Sequence, residues 1–233
     1  MTVIAMTREM GTLGKDVAAG LAEELDIEVV HHELVAQNVG QRTGVEESSV
    51  HRFLEGRTSL LERWKIDSKR LSQFTADEIL QLALQGNVIF RGWGAAQLLS
   101  DIPHVLCVRV CAPMEFRINE MVSRLNEAAR ERSKPIEKSP LFVKEGLGVG
   151  VDDAKREIER NDQVHARVVR DQFGKDWQDN FHYDLVLNTG RMSIEGCINQ
   201  LHHLVDSNEY QPTGASLALL RERIAQSSAK IHA

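Results

Sequence analysis

The sequence predicts an α/β fold with three α/β/α layers around a central, mostly parallel five-stranded sheet. Three observations predict it. Short apolar runs of strand length alternate with longer stretches of helical periodicity, which implies crossover helices covering both faces of a parallel sheet. A polar, glycine-containing turn joins the first apolar run to the first helical stretch. At 233 residues and 42% hydrophobic content, the chain is long enough to bury one sizeable α/β core.

Residues 2–6 are the first apolar run, and beyond the turn Val17, Leu21, Ala22 and Leu25 recur at helical spacing over 16–25. Glu28–Val30 reads as a second short strand, and a helix over 33–41 is expected to end at Gly40 and Thr43. The charged, irregular stretch 44–64 suits short helices. Over 66–85, Leu71, Phe74, Ile79, Leu82 and Ala83 line one face of a long amphipathic helix. Residues 87–90 give a buried strand, Arg91-Gly92-Trp93-Gly94 a turn, and Ala95–Leu99 a short helix. The next β-rich run is 104–110, and Pro113 is placed to open a helix over 115–125. From 126 to 144 the pattern changes: Arg130, Arg132, Lys134, Lys138 and Lys144 lie among two prolines, which predicts a basic excursion from the sheet. Asp152 and Asp153 cap a long helix running to about Phe173, 183–188 is the last core strand, and Ser193 with Glu195 starts a helix to about Val205. The tail, 206–233, holds a linker and then Leu217, Leu220 and Ile224 at helical spacing, a helix that packs on the body or on a partner, including a second copy of the chain.

Composition narrows the function classes. A formal charge of −6 argues against a sequence-independent nucleic-acid binder, which needs a basic surface to displace counterions. Cys107, Cys111 and Cys197 have neither metal spacing nor disulfide-scaffold density, so they read as small buried side chains in a reducing compartment. The paired histidines His31-His32 and His202-His203 do not share a helix face and read as surface residues. No apolar run has the length of a membrane span, and the N-terminal residues turn polar too early for a signal peptide, so a cytoplasmic protein is expected.

The chemistry concentrates between the first strand and first helix, in Thr7-Arg8-Glu9-Met10-Gly11-Thr12-Leu13-Gly14-Lys15-Asp16. Backbone N–H groups ahead of a helix, with glycines that let oxygens approach, can cradle a phosphate. Gly14-Lys15 matches the end of the phosphate-loop pattern G-x-x-x-x-G-K-[ST]. Glu9 stands at its first glycine, however, and Asp16 at the hydroxyl residue that ligates magnesium. The same residues also describe a tight turn with a solvated lysine.

Residues 3–14, followed by Val17-Ala18 and Leu21-Ala22, resemble the opening of cytidylate kinase-like proteins, whose loop is itself a divergent P-loop. The resemblance continues in Val88-Ile89-Phe90-Arg91-Gly92, in 112–118, in Gly146-Leu147-Gly148-Val149, in 153–162, in Trp177-Gln178-Asp179 and in 183–189, and the tail segment Glu209-Tyr210-Gln211-Pro212-Thr213 looks like an extension common in the group. It leaves out about 44–87 and 126–144. It implies a P-loop NTPase-type domain over 1–205 with a basic helical lid at about 126–150, ATP and Mg²⁺ as cofactors, and nucleotides as partners.

On this reading Lys15 contacts the β/γ-phosphates, and Arg8, Gly11, Thr12, Leu13, Gly14, Lys15 and Asp16 hold ATP. Asp16 has two readings, a magnesium ligand and a capping charge in the first helical turn. Arg91, at the C-terminal end of a strand, faces the acceptor monophosphate, with Arg117 and Asp162 also on the substrate side. Arg160 and Arg167 are seven apart and share a helix face, which suits either two guanidinium groups on one phosphate cluster or a solvated charged surface. Arg117 and Arg124 repeat that spacing at the lid entrance. Departures from the family pattern fall at Leu13, in place of a loop glycine, at His31, in place of Asp, and at His165, in place of Arg. The implied reaction is ATP-dependent phosphorylation of a nucleoside monophosphate, CMP or dCMP first; the alternative is a nucleotide-binding regulatory or scaffold protein that keeps the fold without turnover.

Overall fold

Alternation within the apolar runs sets the two faces of the sheet. In β1 (Val3–Arg8), Val3 and Ala5 enter one buried cluster while Ile4 and Met6 enter the opposite one. The computed structural model describes residues 1–56, 67–92, 94–131 and 150–232. β1 pairs in parallel with β3 (Val88–Arg91) on one side and β4 (Val105–Cys111) on the other; β2 (Glu28–Val30) flanks β3, and β5 (Leu185–Asn188) flanks β4. All five strands are parallel, in the order β2-β3-β1-β4-β5. The chain therefore leaves β1 toward one edge and later crosses to the other. That reversal opens a crevice at the C-terminal ends of β1, β3 and β4, where α/β sheets place their ligands.

On the Ile4 and Met6 face lie α1 (Gly14–Leu25) and α8 (Ile194–Asp206), joined through Leu21, Ile198 and Leu201. The opposite face is covered by α2 (His32–Thr43), α3 (Glu47–Leu54), α4 (Ser68–Gln85), α5 (Ala95–Leu99) and α9 (Gly214–Ile231), which contribute Val35, Val50, Leu71, Leu99 and Leu220 to one core. Two further helices, α6 (Met114–Glu131) and α7 (Val151–Phe173), pack on each other through Ile118, Ala154 and Ile158, with Met10 of the loop against them.

Several boundaries differ from expectation for identifiable reasons. Helix α2 passes through Gly40 and ends when Gly44 takes a left-handed conformation at φ 73°. The last strand begins at Leu185 because the Asp184 carboxylate turns to accept the Cys107 N–H at 2.7 Å. Residues 126–131, expected in the basic excursion, complete α6; the rest of that segment, 132–149, lies outside the described residues, as do 57–66 and Trp93. The tail helix α9 packs on α4 with Leu220 fully buried; Thr213 and Ser216 form a reciprocal cap, and Ser216 also bonds the buried His104 at 2.8 Å.

Candidate phosphate-binding site

The turn after β1 is held by its own backbone. Glu9 O accepts from Thr12 N–H (3.3 Å) and Thr12 Oγ1 (2.8 Å), Thr12 Oγ1 accepts from Gly14 N–H (3.4 Å), and Leu13 O accepts from Asp16 and Val17 N–H (both 3.0 Å). Gly11 sits at φ 80°, and a Cβ there would stand 2.5 Å from the Arg117 carbonyl oxygen. A Cβ at Gly14 would stand 2.9 Å from the Arg8 Cβ, so this glycine lets α1 start tight against the strand. Among the described residues no group accepts from the N–H of Met10, Gly11, Leu13 or Lys15, which leaves a cluster of donors at the positive end of α1. Lys15 is exposed on the first turn. Asp16, beside it, is held by both Arg124 nitrogens at 3.2 and 2.7 Å.

Glu9 explains how a carboxylate can occupy the first position of the loop. Its side chain is buried, accepting from Arg109 Nη2 at 2.7 Å and Ala112 N–H at 3.4 Å, with Arg117 Nη1 also 3.4 Å away. Arg117 in turn donates to the Met10 carbonyl (2.7 Å) and, with two parallel bonds of 2.9 and 2.8 Å, to Asp162 on α7. Arg117 and Asp162, expected beside the substrate, are thus bonded to each other and to the loop. Burial nonetheless holds the Asp162 carboxyl above its ordinary range against the pull of Arg117. Sequence reading did not single out Arg109 or assign Glu9 a structural role. The available signal was an arginine inside the apolar run Val105–Cys111, since a charge on a buried strand needs a partner.

Beyond this network a cavity of about 120 Å³ opens between the ends of β1 and β3 and the side of α7. It is lined by Arg8, Arg91, Asn161 and His165, with Met10 and Leu54 among its apolar walls. Neither Arg8 nor Arg91 has an ion pair or side-chain hydrogen bond to a described residue. Burial, then the neighbouring Arg91, pushes the Arg8 guanidinium down to about 10, and burial lowers Arg91 as well. Two guanidinium groups, Arg8 the more deeply buried, therefore share one small space with no ion pair to a described residue. The α7 face toward the cavity is Asn161, Val164, His165 and Val168; Arg160 and Arg167 are exposed and lie outside the lining.

His165 stacks on the buried Trp177, centroids 4.5 Å apart and planes at 14°, and its Nε2 is buried with no hydrogen-bond partner. Burial first, then Arg8 and Arg109, pushes the ring down to about 4. The folded state thus binds fewer protons here than the unfolded chain, whose histidine titrates near 6.5. This contribution to stability is complete above about pH 6.5 and declines toward pH 4, with a limiting slope of about 1.4 kcal/mol per pH unit. Urea unfolding between pH 7 and 5 should show that acid-sensitive component in the wild type and not in His165→Phe.

Among the described residues no group of three or more His, Cys, Asp or Glu side chains could hold a metal ion, and no helix is long and apolar enough to cross a membrane. A parallel sheet with this strand order, a donor-rich turn between β1 and α1, and a basic cavity at the strand ends define a P-loop kinase-type α/β protein. The chain belongs to the cytidylate kinase-like family, which it matches over residues 3–191. It is 22% identical over 198 residues to a cytidylate kinase of Pyrobaculum aerophilum, covering 85% of this chain and 89% of that one. A solved structure of an uncharacterized protein from Eubacterium ventriosum superposes with a TM-score of 0.62 at 18% identity, covering 89% of this chain and 99% of that one.

Proposed function

We propose that the protein transfers the terminal phosphoryl group of ATP to a nucleoside monophosphate, with CMP or dCMP the first acceptor to test. The observation that carries this reading is the pair Arg8 and Arg91, lining one cavity beside a donor-rich loop with no ion pair to a described residue. A cation kept out of water without a counter-charge is costly, and an acceptor phosphate supplies that charge. The loop N–H groups and Lys15 would hold the donor phosphates on the other side of β1, which sets two phosphates near each other for in-line transfer. The cavity is smaller than the ~300 Å³ of ordinary ligand pockets, so it suits the phosphoryl end while the nucleoside extends outward.

Magnesium would neutralise the donor phosphates, with Asp16, on the first turn after the loop, the carboxylate to hold it, since that of Glu9 is buried against Arg109. One carboxylate suits an ion that arrives largely on the nucleotide, and Arg124 would have to release it. The same Asp16–Arg124 pair favours a second reading, a nucleotide-binding regulatory protein without turnover. A coupled assay offering ATP and Mg²⁺ with each nucleoside monophosphate separates the two. Selective, magnesium-dependent ADP formation is expected; tight ATP binding with no acceptor-dependent turnover would favour the regulatory reading instead.

A further inference from the structure

We propose that His165 is a ligand-contacting residue of the Arg8–Arg91 cavity, its Nε2 hydrogen-bonding the same oxyanion that the two guanidinium groups bind. The inference rests on reading that cavity as the acceptor-phosphate site. Three observations converge on it. The ring lines the cavity; its Nε2 is buried and unpartnered, which a folded protein rarely tolerates without a ligand or water; and stacking on Trp177 fixes the imidazole plane. A neutral histidine with one free nitrogen offers a single directional hydrogen bond where a third cation would offer only more charge.

The arrangement also couples binding to a proton. Arg8 from β1 and Arg109 from β4 act on the ring; Arg91 from β3 lines the same cavity, with Glu55 after α3 the one carboxylate among the lining residues, and His31 before α2, also lowered by burial and Arg91, is close to Arg91. An arriving dianion offsets the cations and favours the imidazolium, so His165 gains a proton and its hydrogen bond becomes charge-assisted. Oxyanion affinity then rises as pH falls.

Sulfate is the cleanest probe, because its charge is constant between pH 5.5 and 7.5, and inorganic phosphate is the second. Calorimetric titration of the wild type should show sulfate affinity increasing about fivefold or more from pH 7.5 to 5.5, within the linkage ceiling of about tenfold per pH unit for one proton. His165→Phe keeps an aromatic ring against Trp177 and removes an orphan polar atom, so its Tm near pH 7.5 should equal or exceed that of the wild type. It should bind sulfate and phosphate about tenfold more weakly at pH 5.5, with most of the pH dependence of sulfate binding gone and only a His31 contribution left. His165→Gln, which keeps a hydrogen-bonding group without titrating, should recover part of the affinity and none of the pH slope. Wild-type affinity and slope in the Phe variant would overturn the role of His165 while leaving the site intact. Failure of the wild type to bind either anion would overturn the cavity reading and this inference together.

Discussion

Replacing Arg8 with Met should make the protein more stable and far less active. The side chain is largely buried, carries no ion pair to a described residue, and sits close enough to Arg91 that Arg91 weakens its hold on a proton. Methionine preserves most of the apolar stem and removes the uncompensated charge. Removing a buried charge of this kind is worth about 1–2 kcal/mol to the apo protein, on the order of 2–8 °C in Tm for a domain of this size. If the cavity takes the acceptor phosphate as proposed, the same change removes a preorganised donor to it and should lower kcat/KM by about 10²–10³. Thermal melts with and without phosphate read both effects at once, because the wild type gains stability from the ligand and Arg8→Met does not. A variant that melts lower than the wild type without ligand would make Arg8 a structural cation and remove the main support for the phosphate reading.

That opposition between stability and activity marks what the sequence could and could not disclose. Local patterns were legible: Val3 to Met6 is an unbroken apolar run, as a strand buried on both faces requires, and Arg91 follows an apolar run at the end of which a parallel sheet presents its ligand groups. Pairings across long loops were not. Arg109 and Glu9 are 100 positions apart, and Arg117 and Asp162 are 45 apart, so the first pairing went unread and the second pair was read only as two separate substrate contacts. The cavity face of α7 was missed for a narrower reason. Charge drew attention to Arg160 and Arg167, whereas the helix turns Asn161, Val164, His165 and Val168 inward. His165 stood out in the sequence only as a departure from a family pattern; its stacking on Trp177 depends on a residue beyond the end of α7.

The largest loss of stability is expected from Glu9→Leu. Arg109 and Arg117 are both buried, and Glu9 lies between them, with one oxygen 2.7 Å from Arg109 and the other 3.4 Å from Arg117. Without it, among the described residues, Asp162 is left as the only carboxylate in this network for two guanidinium groups, and Arg109 keeps only the Gln178 carbonyl (2.8 Å), Asn180 Oδ1 (3.1 Å) and its place over the Trp177 ring. Breaking a buried pair from one side costs about 3–5 kcal/mol, because the surviving charge stays desolvated. The loss should spread to the loop, since the residue that closes the turn through its carbonyl also anchors it through its carboxylate. Urea denaturation of Glu9→Leu, Arg109→Met and the double variant measures the coupling, with the double less destabilised than the sum of the singles by about 1–3 kcal/mol. Phosphate binding should fail in Glu9→Leu even at temperatures where it remains folded, because the donors of Met10 and Gly11 lose the framework that aims them. A Glu9→Leu protein within about 1 kcal/mol of the wild type, still binding phosphate, would mean that the loop is shaped by its glycines and backbone bonds alone.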